Sequence, residues 1–310
     1  MILVLRALGV GDLATAVPAL RAVQRAARPG ERVALAAPAW LSPLVELVGG
    51  LDLVPTAGLT GVTWDLPAPR LAVNLHGCGP ESHRLLASAH PGVLWAFANA
   101  GAGHPGGPAW SEEDHEVHRW CRLTGHYGAP ADPADLALTV PSPVAATGLT
   151  IVHPGAKSPT RRWPARRYAE VARSLVARGH DVVVTGSDDE AAAATWIAGE
   201  AGLAPGAVLA GRTGVGELAA LVAHARLVIS GDTGIAHLAS AYATPSVVLF
   251  GPMSPGRWGP PPRAYHRAIW HGTRAEPGDA PGPDPHPALL RITAREVLEA
   301  ADAAVSLRCP

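Results

Sequence analysis

The sequence predicts an α/β protein made of two doubly wound, parallel-sheet units. Short apolar runs rich in Val, Ile and Leu alternate with Ala-, Leu- and Arg-rich segments of helical length, as they do in βαβ units. The same alternation restarts near Thr150, after a Pro-rich stretch. A length of 310 residues also exceeds what a single hydrophobic core usually fills. We therefore expect an N-terminal domain over residues 1–148 and a C-terminal domain over residues 149–310.

The first half is predicted to hold one complete unit. Apolar runs predict strands over 2–8, 32–38, 70–76 and 91–98, and periodicity predicts helices over 13–28 and 112–127. The Gly- and Pro-rich residues 100–110 are predicted to form a loop. The stretch 131–148 has the composition of a linker between domains.

The second half is predicted to repeat the pattern. Strands are expected over 149–155, 181–187, 207–211, 227–232 and 246–252, and helices over 164–179, 189–202, 214–225, 233–243 and 293–307. Thr293 and Glu296 form the pattern of a capping box at the start of the last helix. That helix is a candidate to pack back on the N-terminal domain. The Pro-, Gly- and Trp-rich residues 252–287 are predicted to be irregular.

Composition excludes several classes of protein. A net charge of −1 provides no basic surface for nucleic acid or for an anionic membrane. Cys78, Cys121 and Cys309 lie far apart, which predicts neither a disulfide framework nor a structural zinc site. No signal peptide and no uncharged apolar run long enough to span a membrane is visible. We expect a cytoplasmic protein, for which peripheral docking on a membrane stays open.

The first turn after the first strand carries a motif with three interpretations. Residues 9–14, GVGDLA, fit the glycine pattern of a dinucleotide-binding turn. Against a dinucleotide, the second strand ends in AAPAW, without the carboxylate that would hold a ribose. Asp12 is then either a simple helix cap or a carboxylate at the carboxyl edge of the sheet, free to act as a general base.

Two positions in the second half have side chains suited to a nucleotide. Arg161 and Arg162 follow a strand and a small-residue turn, and guanidinium groups match phosphate oxygens. Glu190 follows the next strand and could accept hydrogen bonds from ribose hydroxyls, although an acidic residue at a helix start is also favoured by the helix dipole.

A third turn in this half combines a strand end with a helix start. Asp232, Thr233 and Gly234 lie where backbone N–H groups could cradle a diphosphate. An ordinary capped connection would explain Asp232 and Gly234, but it leaves His237, one turn into an apolar helix, without explanation.

Histidines elsewhere predict a pocket and no metal site. His76 and His83 flank a Gly- and Pro-containing turn after a strand, so they are candidates to line a pocket. The HEVH sequence at 115–118 lacks the spacing of H-E-x-x-H, which argues against a zincin site. Asp188 and Asp189 lack the D-x-D spacing of metal-dependent sugar transferases. We therefore expect no metal ligands.

Taken together, these motifs resemble glycosyltransferase family 9, the heptosyltransferase family. The resemblance rests on residues 2–23, 72–86, 152–172 and 228–252, and above all on the Gly-Asp of the first turn with D-T-G-x-x-H. It implies the GT-B fold, in which two Rossmann-like domains face each other across a cleft. It also implies that catalysis needs no metal ion.

The resemblance implies roles for the candidate residues. Asp12 would be the base that deprotonates the acceptor hydroxyl. The donor side would comprise Arg161, Arg162, Glu190, Asp232, Thr233, Gly234 and His237, with Arg161 standing where the family often has Lys. We place Gly11, His76 and His83 on the acceptor side.

The expected function is that of an inverting, metal-independent glycosyltransferase without a bound cofactor. The donor is expected to be a nucleotide-diphosphate sugar, ADP-heptose in the first instance. The acceptor is a carbohydrate or small molecule, and lipopolysaccharide and a secondary metabolite both stay open. Two alternatives also remain: an NAD(P)-dependent oxidoreductase, based on the GVGDLA turn, and a catalytically inactive nucleotide-sugar-binding protein.

Overall fold

The computed structural model describes residues 1–274 and 282–307. The chain divides into two compact units, Met1–Thr139 (unit 1) and Val140–Pro310 (unit 2).

The division falls earlier than the predicted boundary after residue 148, because the connecting stretch bonds to unit 2. His224 donates from Nε2 to the carbonyl oxygen of Pro141 at 2.8 Å. The carbonyl of His224 in turn accepts the N–H of Gly148 at 2.8 Å.

Unit 1 is a five-stranded parallel sheet with helices. Its strands are β1 (Ile2–Leu5), β2 (Val33–Ala37), β3 (Asp52–Pro55), β4 (Leu71–Asn74) and β5 (Val93–Trp95). Its helices are α1 (Val10–Arg25), α2 (Ser42–Val48), α3 (Glu81–Ala87) and α4 (Glu116–His126). The strand order is β3-β2-β1-β4-β5, and the paired strands are all parallel.

Burial in unit 1 follows the sheet order. All residues of β1, β2 and β4 are buried, as expected for inner strands covered on both faces. The edge strand β3 is largely exposed. Helix α1 is buried along most of its length and packs against α4. Because β1 and β4 are neighbours, the turns that follow them lie side by side at the carboxyl edge.

Unit 2 is built on a second five-stranded parallel sheet. Its strands are β6 (Thr150–His153), β7 (Val182–Val184), β8 (Leu227–Gly231), β9 (Ser246–Phe250) and β10 (His266–Trp270). Its helices are α5 (Ala165–Ala177), α6 (Ala191–Ala201), α7 (Val215–Ala223), α8 (Gly234–Ala241), α9 (Pro255–Trp258), α10 (Pro287–Arg291) and α11 (Ala294–Ser306). The strand order is β10-β9-β8-β6-β7.

The last helix begins at the predicted capping box. The Glu296 N–H donates to Thr293 Oγ1 at 3.2 Å, and the Thr293 N–H donates to Glu296 Oε2 at 2.7 Å. Val297 and Ala301 of α11 are buried in the core of unit 2, where the helix packs against α5 and β9.

Several predicted elements differ from the structure. Residues 207–211 are not a strand, and only Val208 bridges to Val184. The region 252–287, predicted to be irregular, contains α9 and β10, while 275–281 lie outside the described residues. The elements β3, α2 and α3 have no counterpart in the sequence prediction. Each is short, and β3 alternates too little to be recognised as a strand.

Two further expectations concern cysteines and membranes. Cys78 and Cys121 are free thiols; Cys309 lies outside the described residues. In the part of the chain that the structure describes, no helix combines the length and apolar character needed to cross a bilayer.

Candidate active site

The carboxyl edge of the unit 1 sheet has a topological switch point between β1 and β4. At such a point the chain leaves neighbouring strands in opposite directions, which opens a crevice for ligands. The turn after β1 leads to Asp12, and the turn after β4 leads to His76. The two candidate residues therefore come to the same crevice.

Asp12 serves as a helix cap and still keeps an accessible carboxylate. It is the third residue of α1, and its Oδ2 accepts the Gly9 N–H at 3.1 Å. Its side chain nevertheless remains 29% exposed. Gly11, one residue earlier, is partly exposed in the same turn, and its carbonyl accepts the Thr15 hydroxyl at 2.9 Å. Capping thus fixes the carboxylate without removing it from solvent.

A buried arginine lies directly behind Asp12. Arg6, just after β1, is fully buried, and its Nε donates to the Asp12 carbonyl at 2.9 Å. Its Nη1 donates to the Leu75 carbonyl, and its Nη2 lies 3.5 Å from Asp12 Oδ1 and 2.8 Å from Glu116 Oε1. A charge buried this deeply needs several partners, and Arg6 finds them on three segments of unit 1.

His76 enters the crevice from the turn after β4. Its N–H donates to the side-chain oxygen of Asn74 at 3.0 Å. Burial and the charge of Arg6 lower the pKa of His76 to about 4, with Asp12 opposing the shift. Its Nδ1 is buried without a hydrogen-bond partner among the described residues. His76 is therefore neutral near pH 7 and has one ring nitrogen unsatisfied beside Asp12.

His83 has a different environment, inside unit 1. It is buried, accepts Asn74 Nδ2 at its Nδ1 at 3.0 Å, and lies 2.8 Å from the Phe97 carbonyl through Nε2. Burial lowers the pKa of His83, although the Phe97 carbonyl opposes this. Both ring nitrogens are engaged within the protein, which favours a structural role over the predicted contact with an acceptor.

The unit 2 sheet has its own switch point, between β6 and β8. The turn after β8 leads through Asp232 and Thr233 into α8, which begins at Gly234. Thr233 Oγ1 and Ser230 Oγ are buried and have no hydrogen-bond partner among the described residues. Buried hydroxyls are normally satisfied, so these two favour a polar ligand at the N-terminus of α8, where free N–H groups attract anions.

Arg161 lies at this turn, whereas Arg162 is occupied elsewhere. Arg161 Nη1 is 3.5 Å from Asp232 Oδ2, and 24% of its side chain is exposed. Arg162 is exposed and donates from Nε to the Ala156 carbonyl at 2.8 Å. The same loop carries the exposed Lys157. Arg161 is therefore the guanidinium that reaches the turn after β8.

Glu190 lies against the glycine turn after β6. A Cβ added at Gly155 would be 2.0 Å from Glu190 Oε2, so glycine leaves the space that this carboxylate fills. The Ser187 N–H holds the same oxygen at 2.8 Å. Burial lowers the pKa of His153, while Glu190 acts in the opposite direction. Glu190, the residue predicted to bind the ribose, thus lies at the turn after β6. Strand β6 pairs with β8, whose own turn leads into α8.

His237 is buried in the first turns of α8, and its ring lies 5.8 Å from the ring of Trp258 in an edge-on arrangement. The structure therefore brings Arg161, Asp232, Thr233, Gly234 and His237 to one turn. Within residues 1–274 and 282–307, no group of three or more His, Cys, Asp or Glu side chains could hold a metal ion.

Comparison with known proteins identifies the family. The model of glycosyltransferase family 9 (heptosyltransferase) matches residues 112–277, more than half of the 310-residue chain. The chain belongs to glycosyltransferase family 9. This membership groups it with the glycosyltransferases, as the resemblance of its motifs implied.

Curated relatives of this family 9 chain match it in part. Lipopolysaccharide heptosyltransferase 2 of Escherichia coli K12 is 35% identical over 155 residues, which cover 47% of this chain and 43% of that protein. Lipopolysaccharide heptosyltransferase 3 of Escherichia coli is 37% identical over 112 residues, or 36% of this chain and 33% of that protein. The matched region therefore spans less than half of either relative.

Solved structures of the family match over nearly the whole chain. The E. coli ADP-heptose lps heptosyltransferase II has a TM-score of 0.76 at 23% identity and covers 98% of both chains. The E. coli heptosyltransferase WaaC with ADP has a TM-score of 0.71 at 19% identity and covers 97% of this chain and 98% of that one. These likenesses confirm the predicted α/β fold class, GT-B with two Rossmann-like units.

Two polar residues near Asp12, namely Arg6 and Glu116, were not identified as candidate site residues from the sequence. Arg6 interrupts the apolar N-terminus, and Glu116 lies in the HEVH segment that was considered only for zinc. They are separated by 110 positions and meet at 2.8 Å. One signal was available: Arg6 interrupts the apolar run predicted as the first strand, and an arginine buried there needs an acidic partner.

Proposed function

We propose that this family 9 chain transfers a heptose from ADP-heptose to an acceptor hydroxyl, with inversion at the anomeric carbon and without a metal ion. The observation that carries the proposal is the Asp12 carboxylate. It lies at the switch point of a parallel sheet, its orientation is fixed by the Gly9 N–H, and it remains 29% exposed. A carboxylate so placed can accept the proton of a hydroxyl that binds in the crevice.

The reaction balances without a further reactant. Asp12 takes the proton of the acceptor hydroxyl while the oxygen of that hydroxyl attacks the anomeric carbon of the donor. The bond from that carbon to the diphosphate oxygen breaks, and its electron pair leaves with ADP. Attack from the face opposite the leaving group inverts the anomeric centre.

The departing diphosphate needs positive charge as the bond breaks. Arg161 and the N-terminal N–H groups of α8 supply it, in a preorganised arrangement that needs no metal ion. The Thr233 hydroxyl adds a donor at the same turn, where no described residue bonds to it. Glu190 is the proposed ligand of the ribose hydroxyls. Unit 2 thereby binds the nucleotide on its own residues, and nucleotide affinity can be measured apart from turnover.

The names of the relatives identify the donor and acceptor to test first, ADP-heptose and a lipopolysaccharide core. His76, with its free ring nitrogen beside Asp12, is the proposed contact to the acceptor. The free thiols Cys78 and Cys121 support a reducing, cytoplasmic location.

The deciding experiment compares the wild-type protein with Asp12→Asn. The amide keeps the shape of the side chain but cannot take the proton. We expect kcat for ADP release to fall about 10²–10⁴-fold, the usual contribution of a general base. The affinity for ADP, measured by calorimetry, should stay unchanged because the nucleotide ligands lie on unit 2.

The matched control is Asp52→Asn, which removes a carboxylate from the same unit at the start of β3. Asp52 pairs with Arg32 on the surface, so turnover should be unaffected. Full activity of Asp12→Asn would refute the proposal. Binding of NADH in place of ADP would instead support an oxidoreductase, and binding of ADP without turnover on any acceptor would indicate an inactive binding protein.

Inversion and metal independence have tests of their own. We expect NMR spectra of the product to show the anomeric configuration opposite to that of the donor. Activity should survive prolonged treatment with EDTA. Retention of configuration, or activity that EDTA abolishes and one metal ion restores, would overturn that part of the proposal.

A further inference from the structure

The buried Arg6, behind Asp12, lies closer to the carboxylate of Glu116 than to that of Asp12. Arg6 Nη2 lies 2.8 Å from Glu116 Oε1 but 3.5 Å from Asp12 Oδ1. Its guanidinium carbon also lies 4.6 Å above the ring of Trp120, which restricts its movement. The short, charge-assisted hydrogen bond therefore goes to Glu116. Asp12 receives mainly the contact of Arg6 Nε with its carbonyl.

The Glu116 carboxylate is buried and bonded to several side chains besides Arg6. It is the first residue of α4, and its side chain is only 4% exposed. Oε1 also accepts Trp120 Nε1 at 2.8 Å, and Oε2 accepts the guanidinium of Arg119. Burial alone raises the pKa of Glu116, but Arg6, Arg119 and Trp120 outweigh it and lower the pKa below the ordinary value. Glu116 is thus an ionised, fully engaged carboxylate.

Two charged or titratable side chains of unit 1 face Asp12 among the contacts described above. Arg6 faces it from the end of β1, and His76 faces it from the turn after β4. Arg6 in turn faces Glu116 of α4, which also holds Arg119. Since His76 is neutral near pH 7, the positive charge that these groups place beside Asp12 is that of Arg6, and Glu116 balances part of it.

We propose that Glu116 is a positioning residue: it balances Arg6, so that Arg6 holds the main chain of Asp12 while the Asp12 carboxylate stays basic enough to accept a proton. This inference rests on the proposed function, in which Asp12 is the base. Glu116 acts through Arg6 and does not touch either substrate.

The test is Glu116→Gln, followed by the pH dependence of kcat. The amide oxygen still accepts Trp120, but the negative charge is lost and Arg6 acts on Asp12 without balance. We expect kcat near pH 7 to fall about tenfold, since a weaker base gives slower proton transfer. The acid limb of the pH profile should move about one unit or more to lower pH. The affinity for ADP should not change.

The control is Glu31→Gln. Glu31 is another ion-paired carboxylate of unit 1, bound by Arg70 at 2.7 and 2.8 Å. Glu31 and Arg70 precede strands of the sheet, whereas Asp12 follows one. Loss of this pair removes an ion pair of the same unit without touching Arg6. We expect its acid limb to coincide with that of the wild-type protein.

The possible outcomes separate the two proposals. If Asp12→Asn keeps full activity, the proposed function fails and Glu116 has no base to position. If Asp12→Asn is inactive but Glu116→Gln keeps the wild-type rate and acid limb, only the role of Glu116 is refuted. If Glu116→Gln does not fold, Glu116→Asp decides, because it keeps the charge: an unmoved acid limb supports the proposal, and a shifted limb overturns it.

Discussion

The two units share a parallel five-stranded sheet but differ in how the strands are connected. Numbered from its own first strand, the unit 1 sheet has the order 3-2-1-4-5, and the unit 2 sheet has the order 2-1-3-4-5. In each, the first strand borders the switch point. The candidate residues of both units thus lie at the carboxyl edge of the sheet, beside the switch point. They do so although the strands of the two sheets are connected in a different order.

The contents of the two edges also differ. In unit 1, charged side chains behind Asp12 are buried and bonded to one another, with Arg6 fully buried. In unit 2, the buried hydroxyls of Ser230 and Thr233 at the turn after β8 have no hydrogen-bond partner within the described part of the chain, and Arg161 is partly exposed. This contrast fits the proposed function, in which the unit 1 edge holds a base in place before substrate binds and the unit 2 edge is completed by an anionic ligand.

The largest expected effect is on stability, through Arg6→Ala compared with Arg161→Ala. Removing Arg6 breaks a buried ionic network, which should lower the free energy of unfolding by about 3–5 kcal/mol. Arg161 is partly exposed, and its contact with Asp232 is 3.5 Å long, so its removal should cost less than removal of Arg6. Urea denaturation of both variants measures the difference. Equal losses of stability would contradict this contrast between the two edges.

A smaller effect is expected on nucleotide binding, through Gly155→Ala. The new methyl group would lie where Glu190 Oε2 is, and the end of that flexible side chain must move. The fold should survive, but ADP affinity should fall about tenfold because a charged hydrogen-bond partner is displaced. Calorimetric titration with ADP measures this.

Gly199→Ala is the matched control for that variant. Gly199 lies in α6 with open space around it. Alanine there should leave ADP affinity unchanged and raise stability by up to about 1 kcal/mol. Similar ADP affinities of the two alanine variants would mean that Glu190 does not contact the nucleotide.

A further expected effect is a dependence of stability on pH that the two units share. Burial, with Arg6, lowers the pKa of His76 to about 4, and burial, with Arg263, lowers the pKa of His266 in unit 2 to about 4. The unfolded chain protonates these rings below about pH 6.5, but the folded chain does so only near pH 4. The stabilisation is therefore complete above pH 6.5 and is lost as the pH falls toward 4.

Substitution separates the contributions of the two units. His266→Gln should reduce the acid sensitivity of unit 2 alone, as followed by urea midpoints between pH 7 and pH 4. His126→Gln, at an exposed position of α4, is the control and should leave the curve unchanged. A His266→Gln curve that matches the wild-type curve would show that this buried ring does not drive the acid transition.

Sequence reasoning predicted the repeated strand-and-helix pattern because inner strands such as β1 and β8 are continuous apolar runs. It missed β3 and β10, which are edge strands with exposed residues and therefore lack that signal. It predicted a strand over 207–211, but only Val208 bridges to the sheet, and Gly211 bends away with φ of 71°. Whether a short segment pairs as an edge strand depends on tertiary contacts, which cannot be inferred from its composition.

The candidate site was predictable where its residues lie close in sequence. Asp12, Thr233 and Gly234 belong to turns between a strand and a helix, and such turns have recognisable residues. Glu116 was missed because its partner Arg6 lies at the far end of unit 1 in sequence. His83 was grouped with His76 by proximity, but its two ring nitrogens bond inward, which depends on where Asn74 and Phe97 lie.

The loop between β6 and Arg161 also contains a residue that can be labelled selectively. Lys157, exposed in that loop, is the only lysine of the sequence. Among the side chains, an amine-directed fluorophore would therefore attach at one position, four residues from the guanidinium proposed to hold the diphosphate. The intact enzyme could then report nucleotide binding by fluorescence, without any engineered residue.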